Sequence, residues 1–239
     1  VAFDVFSVGD TVSAKDGGSF AGNVAMAGTL AVTGDVTIGD ELVVDGNDSY
    51  TSNIKFNYGS SAPTYFANWG YKSSSDGNKV FLTITDGGAA RDVLVANYNG
   101  IITMPLQPAF MAVSQSMTNI ASGTTLTFGT EIFDQNADFS SNTFTAPVTG
   151  RYQLNFSGYI LNMDTDANYY QVTISTSNRD YNWLIDPNWA SDVLYWAANV
   201  NVLADMDASD TAFALLYTSG GTQQADLDAG SFFSGYLVA

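Results

Sequence analysis

The chain has 239 residues with 24 acidic and 7 basic side chains, a formal net charge of −17, and neither histidine nor cysteine. Without thiols or imidazoles there is no disulfide framework, no structural zinc site and no Ser-His or Cys-His hydrolase. With 22 Gly, 15 Phe and 13 Tyr, and charged residues at only 13%, the balance favours short strands and tight turns over helices.

The opening Val1-Ala2-Phe3-Asp4 carries no initiator Met and no basic, apolar leader pattern, so the chain reads as a fragment or a processed product. From Gly22 to Gly46, glycines recur at 22, 28, 34, 39 and 46. Between them Val24, Met26, Leu30, Val32, Val36, Ile38, Leu42 and Val44 all fall on even positions. Period two kept in phase through every turn predicts strand, turn, strand. Each unit is too short to bury its own apolar row, so neighbouring units or other chains must cover it. A coiled solenoid, a meander lying on the next domain and three chains wrapped about one axis all meet that need, and the threefold arrangement is preferred. Residues 1–46 are therefore expected to form an N-terminal segment and a β-repeat stalk.

Residues 47–104 read as a small β module. The runs Val80–Thr85 and Asp92–Ala96 flank Asp86-Gly87-Gly88-Ala89-Ala90-Arg91, a hairpin in which glycine supplies the positive φ. Further turns are written at Asp76-Gly77-Asn78 and Asn99-Gly100, and Pro105 and Pro108 mark a junction. The aromatic group Tyr58, Tyr65, Phe66, Trp69 and Tyr71 lacks clear periodicity and is expected to pack this module or a subunit contact. From residue 105 to the end, strands are predicted at 109–114, 126–128, 143–146, 152–161, 169–176, 193–203, 211–218 and 231–238. Many short strands without a helical period predict a sandwich or jelly roll.

Within this last module Phe133-Asp134 is followed by Asn136, Phe144-Thr145-Ala146-Pro147-Val148 by Gly150-Arg151-Tyr152, and the chain closes on Ser231-Phe232-Phe233-Ser234-Gly235-Tyr236-Leu237. In this order the three stretches resemble the C1q/TNF-like jelly roll, over some 105 residues. One departure is Asn142-Thr143, where that family usually has a Gly before the first aromatic. The resemblance implies a compact homotrimer at the end of a trimeric stalk. A Gly-punctuated β stalk leading to a globular tip is in turn similar to bacteriophage tail fibres and other viral receptor-binding fibres.

Two loops carry candidate cation ligands. Asn162, Asp164, Asp166 and Asn168 follow in outline the oxygen-ligand spacing of a calcium loop, but Ala167 replaces the turning Gly and Thr173 the bidentate Glu. Asp205, Asp207 and Asp210 form a second acidic loop, and some C1q-like domains bind calcium at their trimer apex. Ca²⁺ would relieve repulsion in an assembly of formal charge 3 × −17 = −51. Asn178–Asp192 reads as a loop in which Tyr181, Trp183 and Trp189 stand among Asp and Asn, with Asp186 beside them. Aromatic faces flanked by amides and carboxylates suit sugar recognition, although Trp packs between subunits equally well.

The reading is an all-β homotrimer: repeat stalk, small β module and jelly-roll tip. It is the non-enzymatic receptor-binding end of an extracellular viral tail fibre, joined to the remaining fibre through its N-terminus, with a host glycan or outer-membrane protein as partner. A bacterial surface adhesin, a purely structural virion protein and a carbohydrate-cleaving spike are the alternatives, the last requiring a carboxylate pair that nothing in the sequence singles out. Nucleic acid is not expected as a partner, because the acidic balance gives the phosphate interaction the wrong sign. No run of 18 apolar residues offers a membrane span.

Overall fold

The computed structural model describes residues 52–57, 66–72, 77–222 and 225–239, all within the compact unit Val44–Ala239. The Gly-punctuated row from Gly22 to Gly46, together with Tyr58 and Tyr65, lies outside the described residues. The first sheet is an antiparallel meander of β1 (Ser52–Asn57), β2 (Phe66–Lys72), β3 (Lys79–Asp86), β4 (Ala89–Asn97) and β5 (Ile102–Thr103), in chain order. Gly87 and Gly88, with φ of 57° and 88°, make the two-residue turn between β3 and β4. Both angles are positive, as the turn matching strand twist requires.

Register decides what each face of this sheet carries. Ile54, Trp69, Leu82 and Leu94 lie in one cross-strand row, Ser52, Tyr71, Val80 and Ala96 in the next, and Phe56, Ala67, Ile84 and Arg91 in a third. Side chains alternate across a strand, so these rows share one face while Asn68, Lys72, Lys79, Phe81, Thr83, Thr85 and Asp92 share the other. The polar face is the covered one: Phe81, Thr83 and Thr85 are buried, and Lys72 Nζ sits 4.7 Å from the Phe81 ring centroid. Asp92 accepts from Thr83 Oγ1 at 2.6 Å and from Lys79 Nζ at 3.3 Å. The Thr83 hydroxyl foremost, then Lys72 and Lys79, hold its carboxyl below the usual range against a desolvation cost.

The remaining strands form two six-stranded antiparallel sheets. They are β6 (Ala109–Val113), β7 (Thr124–Thr125), β8 (Thr130–Asp134), β9 (Phe139–Ser140), β10 (Thr143–Thr145), β11 (Gly150–Met163), β12 (Ala167–Thr176), β13 (Asp180–Ile185), β14 (Val193–Met206), β15 (Thr211–Gly220), β16 (Asp226–Leu227) and β17 (Phe232–Leu237). One sheet runs β14-β11-β17-β6-β8 with β16 on β11; the other runs β13-β12-β15-β10-β9 with β7 on β15. Their inner faces enclose Phe110, Phe144, Leu154, Phe156, Val172, Ile174, Leu216 and Phe233, all at most 1% exposed. Phe110 stacks on Phe139 and Phe144 at centroid distances of 4.8 and 4.9 Å and meets Phe233 edge-on at 5.1 Å, the offset and T-shaped geometries that ring quadrupoles favour.

Two expectations are corrected. Residues 126–128 are not in a strand: the ladder holds only Thr124–Thr125, and beyond it Leu126 N donates to Ala214 O while Phe128 N donates to Asn142 Oδ1. Leu126 and Phe128 are still buried, so the alternating pattern reported burial but not pairing. Residues 178–192 are not all loop, because β13 pairs with β12 from Ser175↔Asp180 to Tyr170↔Ile185. Its alternation Tyr181, Trp183, Ile185 is concealed by Asp and Asn on both sides.

The quoted motifs have identifiable work. Asp134 accepts from the backbone N–H of Asp138 and Phe139 at 3.0 and 2.9 Å, closing the turn after β8. Tyr152, buried within β11, donates its hydroxyl to Val148 O at 2.7 Å. Asn142 has φ 65°, a left-handed conformation that Asn tolerates better than other side-chain-bearing residues. Its Oδ1 also holds Phe128 N at 2.7 Å, so Asn does the backbone work of the expected Gly.

Candidate functional site

Both ends of the sandwich are acidic and differ in their cations: Asp134, Asp138, Asp180, Asp205, Asp207 and Asp210 lie at one end with the only two arginines of residues 105–239. Gly150 faces Met206 across β11 and β14, and Met163 faces Val193, so the ends are about 13 residue steps, roughly 40 Å, apart. The chain enters at the Gly150 end. There Ala109 pairs with Tyr236, Asn136 Nδ2 donates to Leu106 O, and Gln135 Nε2 donates to Met104 O and Gln107 O. Both cations of residues 105–239, Arg151 and Arg179, lie at this junction end, where Arg179 pairs with Asp205 at 2.9 Å. The far end carries Asp164, Asp166, Asp186, Asp192, Asp226 and Asp228 on its strand termini and loops, with no Lys or Arg beside them.

β13 and the loop 186–192 close the open edge of the sandwich on their way from one sheet to the other. Tyr181 and Trp183 stand opposite Ile174 and Val172 on the inner face of β13. Tyr181 is half-buried against the core, and burial raises its hydroxyl pKa. Trp183, at the sheet margin, is 48% exposed. Trp189 packs on Trp196 of β14, with centroids 4.9 Å apart and planes at 36°; both touch the core, and the Trp196 indole N–H is enclosed without a partner. Asp186 is exposed at the start of the loop. The structure thus gives Trp183 an open face and Trp189 a packed one. The exposed Leu184, Leu194 and Tyr195, at 61, 66 and 70%, went unrecognised in the sequence; their exposure follows from the edge positions of β13 and β14 in their respective sheets, which only the pairing reveals.

The candidate cation ligands separate between the ends. At the far end, Asp164 accepts from Thr222 N and Oγ1 at 2.7 and 2.8 Å and from Asp166 N at 2.8 Å. These donors, the Thr222 backbone first, lower its pKa. Asp192 accepts from Thr165 N and Oγ1, tying the Asp164–Asp166 turn to the loop 186–192. At the junction end Asp205 faces Arg179, Asp207 Oδ1 lies 3.4 Å from Thr149 Oγ1, and Asp210 accepts from Asn178 Nδ2 and Asp207 N. Among the described residues no three acidic side chains converge as a metal site. These carboxylates serve as acceptors for loop backbone and hydroxyl donors.

With this geometry in place, comparison with known families is decisive: residues 109–238 match the C1q domain, more than half of the chain. The chain belongs to the C1q domain family. It is also similar to the solved globular domain of zebrafish complement 1qA protein, at 15% identity and a TM-score of 0.42, over 56% of this chain and 98% of that one. No curated protein matches it. C1q-domain family members are non-enzymatic recognition modules.

The outer face of the β14-β11-β17-β6-β8 sheet is mixed, with Gln153, Asn155, Ser157 and Asn201 along its centre. Phe133, Tyr159, Leu203 and Tyr236 are 49–51% exposed there, around half-buried Met111, Val113 and Phe232. The outer side of the opposite sheet sets Phe213, Leu215 and Tyr217 beside Ser175, buried Thr173 and Gln171, with Gln171 Nε2 linked to Thr173 Oγ1 and onward to Asn182 Oδ1. Between the small sheet and the C1q domain lies a cleft of about 600 Å³ lined by Arg91, Met104, Leu106, Asn136, Val148 and Leu237 among others.

Proposed function

We propose that this chain is the receptor-binding end of a homotrimeric fibre, a viral tail fibre, that attaches to the host surface through its C1q domain without covalent chemistry. The observation that carries the reading is the placement of the exposed loops at the end opposite the chain entry. The chain enters at the end that holds both cations, and the opposite end presents the Asp164–Asp166 turn and the loop 186–192, clear of the junction. Exposed Phe133, Tyr159, Leu203 and Tyr236 on the outer face of the β14-containing sheet support lateral packing of three copies, which points three far ends in one direction. Once one is bound, the other two bind at high effective concentration, so weak single contacts become firm attachment.

The charge of the far end narrows the ligand. Six carboxylates without a cation repel phosphorylated or carboxylated polysaccharide, whereas a neutral, hydroxyl-rich glycan meets acceptors for its hydroxyls and the open face of Trp183 for its C–H surface. The test is competition of the purified chain with adsorption of labelled particles to host cells, and binding to immobilised neutral glycans. Trp183→Ala is expected to abolish retention while leaving the thermal transition in place. Equal retention of wild type and Trp183→Ala, or retention only on anionic polymer, would overturn the assignment.

A further inference from the structure

The small sheet is inverted relative to an ordinary half-buried sheet. Its polar face is covered, and its apolar face is open: Ile54 is 41% exposed, Phe56 60%, Trp69 59%, Tyr71 44%, Val80 42% and Ile84 48%. The register sets these six in adjoining rows on three neighbouring strands, so they are one continuous patch. With a large apolar side chain presenting about 150–250 Å², the exposed fractions amount to an area on the order of 600 Å² per chain. That is the upper end of the largest patch on monomeric proteins, about 300–600 Å², and most of the roughly 800 Å² that each partner contributes to a stable interface.

Charge indicates which partner fits. A second copy of a chain with net charge −17 is repelled everywhere except where carboxylates are absent. This face carries charge only at its hairpin end, where Asp86 and Arg91 offset each other, while Lys72, Lys79 and Asp92 turn to the other side. We propose that the apolar face of β1–β4 is a self-association surface, buried against the same face of other copies of this chain and independent of the C1q domain contact. It rests on the multimeric reading above and adds a second, separately testable contact to it.

The cysteine-free sequence makes the test clean. In the full chain, Ala67→Cys places one thiol between Phe56 and Ile84 on the apolar face, and Ala90→Cys places one opposite Thr85 on the polar face. A short tris-maleimide is expected to convert Ala67→Cys into covalent multimers on a denaturing gel and to leave Ala90→Cys as single chains. A particle of several chains in which Ala67→Cys stays uncross-linked, yet reacts at once with a monofunctional maleimide, overturns this surface and leaves the multivalent reading standing. A monomer overturns both. Trp69→Asp supplies a second readout: its cross-linking yield through Ala67→Cys is expected to fall at least tenfold, and an unchanged yield contradicts the proposal.

Discussion

The small sheet and the C1q domain use the same alternation of apolar and polar residues and reach opposite outcomes. In the C1q domain a second sheet lies about a layer away and receives the inward residues, so Phe110, Phe144, Phe156 and Phe233 are essentially sealed. In the small sheet no second layer faces Phe56, Trp69 and Ile84 among the described residues. Alternation determines which residues share a face; it does not determine what covers that face. A face whose cover is missing from one chain is where another molecule belongs.

This comparison is most severely tested by truncating one large aromatic on each side. Phe110→Ala removes a ring stacked on two others at under 5 Å and is expected to cost about 3–5 kcal/mol of stability, independent of protein concentration. Trp69→Ala is expected to leave the dilute chain nearly as stable and to lower the transition only at concentrations where copies associate. Chemical denaturation at two protein concentrations separates the cases, and a concentration-independent loss for Trp69→Ala would break the comparison.

A smaller effect is expected from Gly235→Ala. A Cβ there would lie 2.7 Å from Leu154 Cδ2, 2.9 Å from Phe110 Cε1 and 3.1 Å from the Gln153 carbonyl, an overpacking that costs about 1–3 kcal/mol. Thermal unfolding reads it directly. By contrast Gly87→Ala, in the small sheet, meets open space, and its cost is confined to the strain of φ 57°.

The smallest effects concern pH. The Asp164 carboxyl is held below its ordinary value by donors from Thr222 and Asp166, so its contribution is present above the unfolded carboxylate pKa and is lost as pH falls through the folded one. Hydrogen exchange should show the Thr222 and Asp166 amides losing protection in acid, and Asp164→Asn should remove that dependence. Asp138 has the opposite sign: burial, then neighbouring Asp134, raise its pKa, and its Oδ2 has no partner. Its ionisation therefore opposes folding as pH rises through the folded pKa, so Asp138→Asn should raise the transition temperature at neutral pH and leave it unchanged in acid.

The long C1q strands were legible because Tyr152, Leu154, Phe156 and Ile160 alternate with polar residues and are all buried. The edge strands were not. β8 and β13 have one solvated margin, so Ile132, Phe133 and Trp183 remain exposed and alternation there competes with turn-forming Asp and Asn. The turn residues were readable in advance, Gly87-Gly88 among them, since positive φ leaves few choices. The site was legible only in part. Trp183 and Asp186 were named from composition, but the separation of Asp164 from Asp205 by the length of β14, and the placement of both arginines at the opposite end from Asp164, arise from strand pairing.

The central claim, that this chain works as several copies about one axis, is tested most directly by the native mass of the purified chain measured by light scattering. The account expects three times 25.4 kDa, maintained on dilution to low micromolar concentration. A particle of 25.4 kDa at all concentrations would contradict it, leaving the apolar face of the small sheet without its partner.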